Sequence, residues 1–429
     1  MEFNTICVLG LGYIGLPTAS TFANKGKKVI GVDINPDVVH SLQNGEVHIY
    51  EPGLGELVKS AVKSGKLVAQ LRPTFADAFI IAVPTPFHDG KSANMDYVVA
   101  AAESIVPFLR KGNLVILEST SPPLTTQELL APILEKSGLI AGQDFFLAYS
   151  PERVLPGRIL EELIENARVI GGIDRQSAEV GRDLYNVFVI GDIILTDATT
   201  AEMVKLMENT TRDVNIAIAN EFSRLADRFG IDVWEAIQIA NLHPRIDILQ
   251  PGPGVGGHCI SVDPWFLVEK APDLTKLIKT ARQVNDGQPE FVVALTKRLM
   301  KNDLNGKTIA ALGMTYKPNV DDMRESPALE VVKLLEVEGT QVFAYDPFAN
   351  DTECFSGVQV SNDLESVMKD AEVLIFLVGH QILRSLKAEE VKHLTTAHVV
   401  LDTINILDVE EWTSNGFQVY RLGEGFQVA

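Results

Sequence analysis

The chain has 429 residues, of which 46% are hydrophobic and 22% are charged, so it has the composition of a globular protein with a substantial core. Its 37 basic and 57 acidic residues give a net charge of −20, which argues against nucleic acid or an anionic membrane as a partner. No secretory pattern opens the sequence and no run of roughly eighteen apolar residues occurs, so we expect no membrane span. Three distant cysteines fit a reducing compartment, and we expect a cytoplasmic protein.

A dinucleotide-binding fingerprint lies near the start of the chain, between two apolar runs. It reads Gly10-Leu11-Gly12-Tyr13-Ile14-Gly15, and the second run ends at Asp33. In this pattern Gly10 makes a tight turn, Gly12 admits a pyrophosphate and Gly15 lets helix and strand pack closely. Asp33 is placed to bind a ribose 2′-hydroxyl and would repel a 2′-phosphate, which favours NAD over NADP. The predicted cofactor-binding residues are therefore Gly10, Gly12, Tyr13, Ile14, Gly15 and Asp33.

Further apolar runs predict more strands of the same sheet. They are Ala78–Val83, Asn113–Glu118 and Phe145–Ser150. Ligands of a doubly wound sheet bind at the carboxyl ends of its strands, so Pro84, Thr85 and Thr120 are candidates to line the cofactor. Prolines are also ordinary strand-ending residues, and that alternative stays open for Pro84.

The middle of the chain predicts long helices and one unusual loop. Helical patterns run from Thr199 to Phe229, with Lys205 and Asn209 on one face, and from Leu274 to Lys301. Between them, the glycine- and proline-rich stretch 250–264 delivers Cys259, which suits a covalent nucleophile. A buried structural cysteine and half of a metal site with His258 are the alternatives, but we find no further Cys/His cluster at zinc-ligand spacing, so we predict no metal.

The last third of the chain looks like a copy of the first. The corresponding segments are Lys307–Gly313, Pro327–Glu338, Thr340–Asp346, Glu372–Val378 and Val399–Thr403. The copy lacks the glycine fingerprint and carries Lys317 and Arg324 instead, so we expect cationic side chains to bind phosphates there. The fold class predicted is α/β, with two Rossmann-like doubly wound domains joined by long central helices. The expected domains are 1–198 for NAD, 199–301 for the helices, catalytic loop and dimerisation, and 302–429 for a nucleotide-bearing substrate.

NAD combined with a reactive thiol points to a four-electron oxidation. An alcohol oxidised to an aldehyde would add to Cys259 as a thiohemiacetal, lose a second hydride to become a thioester, and be released by water as an acid. A one-step dehydrogenase of the hydroxyacid type is one rival interpretation, and it would need no thiol. A sensor of NAD or of a nucleotide-sugar, without turnover, is another.

Motifs along nearly the whole chain resemble those of the UDP-glucose/GDP-mannose 6-dehydrogenase family. They are Gly10 to Pro17, Val83 to Pro86, Glu118 to Thr120, Ser150 to Glu152, Glu202-x-x-Lys205-x-x-x-Asn209, Gly256 to Asp263, and Lys317 to Pro327. The resemblance implies an NAD-dependent enzyme that oxidises C6 of a nucleotide-sugar, with a UDP-sugar as substrate and a homodimer or higher homo-oligomer as the assembly.

The resemblance also implies roles for individual residues. Cys259 matches the family's nucleophile, Lys205 and Asn209 the groups that stabilise the oxyanion, and Glu152 the base for thioester hydrolysis. Asp263 and Thr120 match residues that hold a water near the reacting carbon. Arg324 matches an arginine that reaches the NAD pyrophosphate. The substrate-binding residues implied are Arg245, Gly256, His258 and Lys317.

Departures from the family pattern narrow the substrate. His258 replaces a serine beside the cysteine, and position 156 is a proline where UDP-glucose enzymes typically carry a second glutamate. The resemblance then favours a UDP-N-acetylhexosamine, with UDP-N-acetylmannosamine ahead of its epimer UDP-N-acetylglucosamine. UDP-glucose and GDP-mannose are less favoured.

Overall fold

A computed structural model of the chain describes residues 3–88, 90–155, 157–257, 259–349 and 353–425. The chain divides into two compact units. One comprises Met1–Glu208 and Trp265–Pro272, and the other comprises Asn209–Pro264 and Asp273–Ala429.

The first unit is built on a sheet in which eight strands lie within the described residues. They are β1 (Thr5–Leu9), β2 (Lys28–Val32), β3 (Leu67–Gln70), β4 (Ala78–Ile81), β5 (Leu114–Leu117), β6 (Phe146–Tyr149), β7 (Arg168–Gly172) and β8 (Ile193–Asp197). Their order is β3-β2-β1-β4-β5-β6-β7-β8, so the direction of winding changes between β1 and β4. That change is the position at which doubly wound sheets bind nucleotides.

Helices cover both faces of this sheet. They are α1 (Gly15–Asn24), α2 (Pro36–Gln43), α3 (Leu54–Lys63), α4 (Asp96–Ile105), α5 (Ala131–Leu134), α6 (Ile159–Glu165) and α7 (Arg175–Tyr185). A π-helical segment, Thr125–Leu130, precedes α5. Because side chains alternate along a strand, Ile6 and Val8 of β1 enter one apolar layer while Cys7 and Leu9 enter the other. Burial on both faces explains why these strands read as continuous apolar runs in the sequence.

One pairing in the first sheet is antiparallel, between β6 and β7. Its register sets Ala148 opposite Gly172 and Tyr149 opposite Gly171. Extended by three residues beyond the last paired position, the same register brings Arg168 to the level of Glu152. The reversal therefore delivers a residue from the start of β7 to the carboxyl end of β6.

Helices of the middle of the chain follow. They are α8 (Ala198–Phe229), α9 (Val233–Ala240), α10 (Asp263–Lys270), α11 (Lys276–Asp286) and α12 (Gln288–Leu299). The long helix predicted from Thr199 to Phe229 is confirmed as α8. The single helical pattern predicted from Leu274 to Lys301 is wrong, because α11 and α12 are separated at Gly287 (φ −87°, ψ 3°) and a proline lies in the first turn of α12.

The second unit contains the other sheet, with seven strands in the described part of the chain. They are β9 (Thr308–Leu312), β10 (Gln341–Tyr345), β11 (Glu353–Phe355), β12 (Val358–Ser361), β13 (Val373–Phe376), β14 (Val399–Asp402) and β15 (Gln418–Arg421). Their order is β11-β12-β10-β9-β13-β14-β15. The helices that accompany them are α13 (Pro327–Val337), α14 (Leu364–Met368), α15 (Gln381–Arg384), α16 (Ala388–Leu394) and α17 (Val409–Ser414). The predicted fold class of two Rossmann-like sheets is confirmed.

The acid of the copied fold is used differently from its counterpart. Asp346 follows β10 as Asp33 follows β2, but its side chain is fully buried and accepts the amides of Met314 (2.7 Å) and Thr315 (3.0 Å). His380 Nε2 lies 3.0 Å from the same carboxylate. Burial alone would raise the pKa of Asp346, but the hydrogen bond and charge of His380 outweigh it and the pKa is lowered.

A buried ion pair joins α8 to α11, and its loss should destabilise the second unit. Arg282 Nη1 lies 2.5 Å from Asp213 Oδ1, and 1% and 0% of these side chains are exposed. Changing Arg282 to Met leaves Asp213 buried without its cation, which should lower the free energy of unfolding by about 3–5 kcal/mol. Urea unfolding followed by circular dichroism measures this change.

The matched control is Lys136→Met. Lys136 Nζ lies 2.9 Å from Glu103 Oε1, but 59% and 53% of these side chains are exposed. Exposed pairs contribute about 0–1 kcal/mol, so this variant should unfold nearly as the parent does. Equal losses in the two variants would contradict the burial argument.

Candidate active site

The fingerprint loop after β1 has two glycines that are closed in by backbone and one that is open. At Gly10 (φ +89°), an added Cβ would lie 2.5 Å from the carbonyl oxygen of Ala82, and at Gly15 it would overlap the carbonyl oxygen of Gly10. At Gly12 an added Cβ would meet nothing within 4 Å. The space left at Gly12, at the start of α1, fits the pyrophosphate of a dinucleotide.

Asp33 lies at the end of β2, where a ribose-binding acid is expected. Its carboxylate accepts the amides of Leu11 (3.0 Å) and Asn35 (2.9 Å), and the side chain remains half-buried. The hydrogen bond to Leu11 holds the acid against the fingerprint loop. Tyr13 lies in that loop, and Ile14 is the residue that precedes α1. The predicted cofactor residues of this strand–loop–helix–strand segment are thus brought together.

The carboxyl ends of β4 and β5 are tied to each other. Ser119 Oγ donates to the carbonyl oxygen of Val83 (2.7 Å), which places the segment holding Thr120 beside the one holding Pro84 and Thr85. Pro84 is exposed, whereas Thr85 and Thr120 are half-buried. Ser119 lies within the motif Glu118 to Thr120, but the sequence alone does not indicate this hydrogen bond.

A buried carboxylate on α8 fixes the loop that follows Thr120. Glu202 accepts the amides of Leu124 (2.7 Å) and Thr126 (2.8 Å), and also the Thr126 hydroxyl (2.6 Å). Burial raises the pKa of Glu202, and these three hydrogen bonds oppose the rise. Glu202 belongs to the motif Glu202-x-x-Lys205-x-x-x-Asn209, but only the structure shows that it binds the loop after Thr120.

Lys205 and Glu152 meet in the first unit. Lys205 is 9% exposed, and its Nζ donates to the backbone carbonyl of Glu152 (2.9 Å). The Glu152 carboxylate accepts the amide of Arg153 (2.8 Å) through one oxygen and forms an ion pair with Arg168 Nη2 through the other. The predicted oxyanion-stabilising lysine and the predicted base are therefore neighbours.

Glu152 belongs to a buried group of side chains that we call the Arg168 cluster. Its members are Glu118, Glu152, Arg168 and Tyr185. Arg168 Nη1 lies 3.4 Å from Glu118 Oε1, which also accepts the hydroxyl of Tyr185 at 2.5 Å. The guanidinium carbon lies 4.1 Å from the centre of the Tyr185 ring. Arg168 Nη1 donates to Ser150 Oγ as well (3.0 Å).

Burial and the neighbouring charges together shift the pKa values of Glu118 and Arg168 in this cluster. Burial raises the pKa of Glu118 to about 7, against the opposing charge of Arg168 and with the further repulsion of Glu152. The pKa of Arg168 is raised, because Glu152, Tyr185 and Glu118 together outweigh the burial that alone would lower it. Arg168 and Tyr185 were not predicted from the sequence, because nothing beyond their place on neighbouring elements marks them.

In the second unit, Asn209 and Asp263 meet. Asn209 lies one turn after Lys205 on α8, and its Nδ2 donates to Asp263 Oδ2 at 2.5 Å. Asp263 is 1% exposed and begins α10. The predicted oxyanion-stabilising amide and the predicted water-holding carboxylate thus form one pair.

The thiol of Cys259 lies on a loop that packs tightly against residues 316–327. Its backbone carbonyl accepts the amides of Val262 (3.0 Å) and Asp263 (2.8 Å), which fixes the turn that leads into α10. A Cβ at Gly256 would overlap the carbonyl oxygen of Glu325, so the close approach requires glycine. Cys259 itself is half-buried. Burial raises the pKa of the neighbouring Tyr316 to about 12, and Asp322 and Cys259 add to the rise.

The other residues predicted to bind substrate or cofactor make the following contacts. Arg324 forms a two-point ion pair with Asp322, through Nε (2.9 Å) and Nη2 (2.7 Å). The backbone carbonyl of Lys317 accepts the Thr315 hydroxyl (2.9 Å). Arg245 is exposed, with Nη2 3.5 Å from Nε2 of His243. His258 lies outside the described residues.

The other cysteines differ from each other. Cys7 is buried, which raises its thiol pKa to about 12. Cys354 is exposed on β11. Within the described residues we find no group of three or more His, Cys, Asp or Glu side chains arranged to hold a metal. In the same residues, no helix has the length and apolar character needed to cross a membrane.

Three family models match the chain in sequence order. They are the NAD-binding domain (residues 4–189), the central domain (199–287) and the UDP-binding domain (310–409) of the UDP-glucose/GDP-mannose dehydrogenase family. The chain belongs to this family. It is an NAD-dependent nucleotide-sugar dehydrogenase, and the open space at Gly12 fits that cofactor.

Similar proteins cover almost the whole length of the chain. A UDP-N-acetyl-D-mannosamine dehydrogenase of Methanocaldococcus jannaschii is 50% identical over 98% of this chain and 96% of its own length. An NDP-N-acetyl-D-galactosaminuronic acid dehydrogenase of Ralstonia nicotianae is 46% identical over 94% and 96%. The solved structure of a UDP-D-ManNAc dehydrogenase from Pyrococcus horikoshii has a TM-score of 0.92 at 40% identity and covers 98% of this chain and 99% of that one.

The fingerprint glycines make a matched pair for testing NAD binding. Changing Gly12 to Ala should leave the free energy of unfolding within about 0.5 kcal/mol of the parent, because its Cβ has room. The methyl group would occupy the space for the pyrophosphate and weaken NAD binding about tenfold or more. Calorimetric titration with NAD and urea unfolding measure the two effects.

Gly15→Ala is the contrasting variant. Its Cβ would overlap the carbonyl oxygen of Gly10, which should destabilise the first unit by about 3 kcal/mol or more. Normal NAD affinity in Gly12→Ala would show that the pyrophosphate binds elsewhere.

Proposed function

We propose that the protein oxidises the C6 hydroxyl of UDP-N-acetylmannosamine to a carboxylate in two NAD-dependent steps. The observation that carries this proposal is the half-buried thiol of Cys259 on a loop that packs against residues 316–327, since a four-electron oxidation needs a covalent holding group. The substrate class is supported by the relatives, whose names include UDP-N-acetyl-D-mannosamine dehydrogenase at 50% identity.

The proposed reaction has three stages, two oxidations and one hydrolysis. NAD accepts a hydride in each of the two oxidations. First the C6 alcohol becomes an aldehyde, with loss of a hydride and a proton. The Cys259 thiol then adds to the aldehyde carbon, and loss of a second hydride and proton leaves a thioester. Water finally cleaves the C–S bond, which releases the carboxylate and regenerates the thiol.

Each neighbouring pair of side chains has a part in this scheme. Lys205 and Asn209 donate to the oxygen on C6 as it develops negative charge, the kind of contribution that usually dominates acyl chemistry. Asp263 orients the Asn209 amide through the hydrogen bond described above and, with Thr120, holds a water. Glu152, whose backbone binds Lys205, takes the proton of the hydrolytic water.

The binding residues are proposed in the same way. Arg324 reaches the NAD pyrophosphate after leaving Asp322, and Lys317 binds a phosphate of the UDP moiety. Arg245, Gly256 and His258 contact the sugar. We also propose that the chain forms three domains, with boundaries after residues 198 and 301, and that the protein is cytoplasmic.

A different hexosamine is the second candidate. One relative is named for an N-acetyl-galactosaminuronic acid, and UDP-N-acetylglucosamine differs from the preferred substrate only at C2. The gluco and manno substrates differ in the placement of one acetamido group, a difference that a pocket can discriminate by a few kcal/mol at most when no buried polar group is left unpaired.

The stoichiometry of NADH tests the function directly. With UDP-N-acetylmannosamine the enzyme should form two NADH per sugar acid, and it should turn over this substrate faster than UDP-N-acetylglucosamine, UDP-N-acetylgalactosamine, UDP-glucose or GDP-mannose. Cys259→Ser should stop acid formation, because a serine ester would not be reached from the aldehyde at a useful rate. Absorbance at the NADH band and chromatography of the sugar product provide the measurement.

The competing mechanisms give different outcomes. One NADH per turnover with an aldehyde product would support a one-step dehydrogenase. Full acid formation by Cys259→Ser would refute covalent catalysis. Stabilisation by ligands without any NADH would support the sensor.

We also propose a homodimer that forms through α8. An apolar stripe on this helix is solvent-exposed, with Ile218 44%, Phe222 40%, Leu225 40% and Phe229 70% exposed, at the three- and four-residue spacing of one helix face. An exposed contiguous apolar patch of this kind marks an interaction surface.

Charge placed in the stripe should prevent association. Phe222→Glu should give a monomer by light scattering coupled to size-exclusion chromatography, because a buried unpaired carboxylate is costly. Leu274→Glu is the control, since Leu274 is 80% exposed and lies outside the stripe. A monomeric parent, or a dimer that survives Phe222→Glu, would contradict the assignment.

A further inference from the structure

The Arg168 cluster has more acid than base. Two carboxyl groups, of Glu118 and Glu152, face one guanidinium, and an arginine stays protonated in proteins. The side chain of Glu118 is fully buried, and those of Arg168 and Glu152 are 4% and 8% exposed. If both carboxyl groups were ionised, the cluster would hold a net negative charge away from water, which is strongly unfavourable.

The hydrogen bonds show which carboxyl group carries a proton more readily. Both oxygens of Glu152 accept from donors, one from the Arg153 amide and one from the Arg168 guanidinium. Glu118 Oε1 accepts the Tyr185 hydroxyl, but among the described residues Glu118 Oε2 has no hydrogen-bond partner. An unpartnered oxygen costs less on a neutral carboxyl than on a carboxylate, so Glu118 is the neutral member.

Resting on the proposed function, in which Glu152 is the base for hydrolysis, we propose that Glu118 is a positioning residue for that step. Its charge state, acting through the shared guanidinium of Arg168, sets how strongly Glu152 attracts a proton. No contact of Glu118 with the substrate is required.

The direction of the effect follows from the charges. While Glu118 is neutral, Arg168 pairs with Glu152 alone and makes it a weaker base. When Glu118 ionises, it competes for the guanidinium and repels Glu152, which becomes the stronger base. The groups that face Glu118 are Arg168 on β7, Tyr185 on α7 and Glu152 after β6. Because the pKa of Glu118 lies at about 7, hydrolysis should accelerate as the pH rises through 7.

The hydrolysis rate constant can be isolated from the other steps. At steady state it equals the rate of acid formation divided by the concentration of acyl-enzyme, which intact-mass spectrometry measures after acid quenching. With UDP-N-acetylmannosamine and NAD, the parent enzyme should show a rise across pH 7. Glu118→Gln mimics the neutral acid, so this rise should be lost while the rate below pH 6 is retained.

Tyr185→Phe gives a graded second test. The Tyr185 hydroxyl favours the ionised form of Glu118, so its removal should move the rise to higher pH without abolishing it. Asp77→Asn is the matched control, because Asp77 lies at the amino end of β4 and accepts the amides of Asn4 and Thr5 (each 2.9 Å). This variant should keep the parent profile.

Two further results separate the proposals. Parent-like hydrolysis in Glu152→Gln would refute the base role of Glu152 in the proposed function. If Glu152→Gln stops hydrolysis while Glu118→Gln keeps the rise near pH 7, only the role of Glu118 is refuted. A parent profile that is flat across pH 7, or unchanged by Tyr185→Phe, also overturns the role of Glu118.

Discussion

The sharing of one buried guanidinium by two carboxyl groups is the constraint on which the carboxyl ends of β5 and β6 depend. Arg168 binds Glu152 on one side and Glu118 on the other, and its guanidinium lies over the ring of Tyr185. Removing a buried cation that has two acidic partners would leave an uncompensated charge, so the arrangement must form as a whole. The antiparallel pairing of β7 with β6 brings this arginine from the start of β7 to the carboxyl end of β6.

Much of the fold was readable from sequence because its strands are buried on both faces. Such strands give apolar runs bounded by glycine, proline and polar residues, and the runs at Thr5, Lys28, Ala78 and Asn113 became β1, β2, β4 and β5. The short edge strands β3, β11 and β15 were not predicted, since an edge strand is partly exposed and its pattern is weak. The break at Gly287 was missed because helical periodicity continues on both sides of it.

The candidate site was predictable where chemistry sits in a local motif and unpredictable where tertiary structure supplies the partner. The fingerprint glycines and Asp33 lie within one strand–helix–strand segment, and a hydrogen bond from Leu11 holds Asp33 against the glycine loop. Arg168 and Tyr185 come from elements after β6, and nothing in their own neighbourhoods marks them. The same holds for Glu202, whose partners lie 76 and 78 residues earlier in the chain.

The second sheet shows how a repeated nucleotide-binding fold can lack the free acid that binds the ribose of NAD. The carboxylate of Asp346 lies where a ribose would need a free acceptor, but it already accepts three backbone amides (Met314, Thr315 and Phe348) and contacts the imidazole of His380, and solvent does not reach it. An adenosine ribose arriving there would have to displace these internal hydrogen bonds before gaining any contact. The carboxylate of Asp346 is therefore withdrawn from the surface at which a ribose would have to bind.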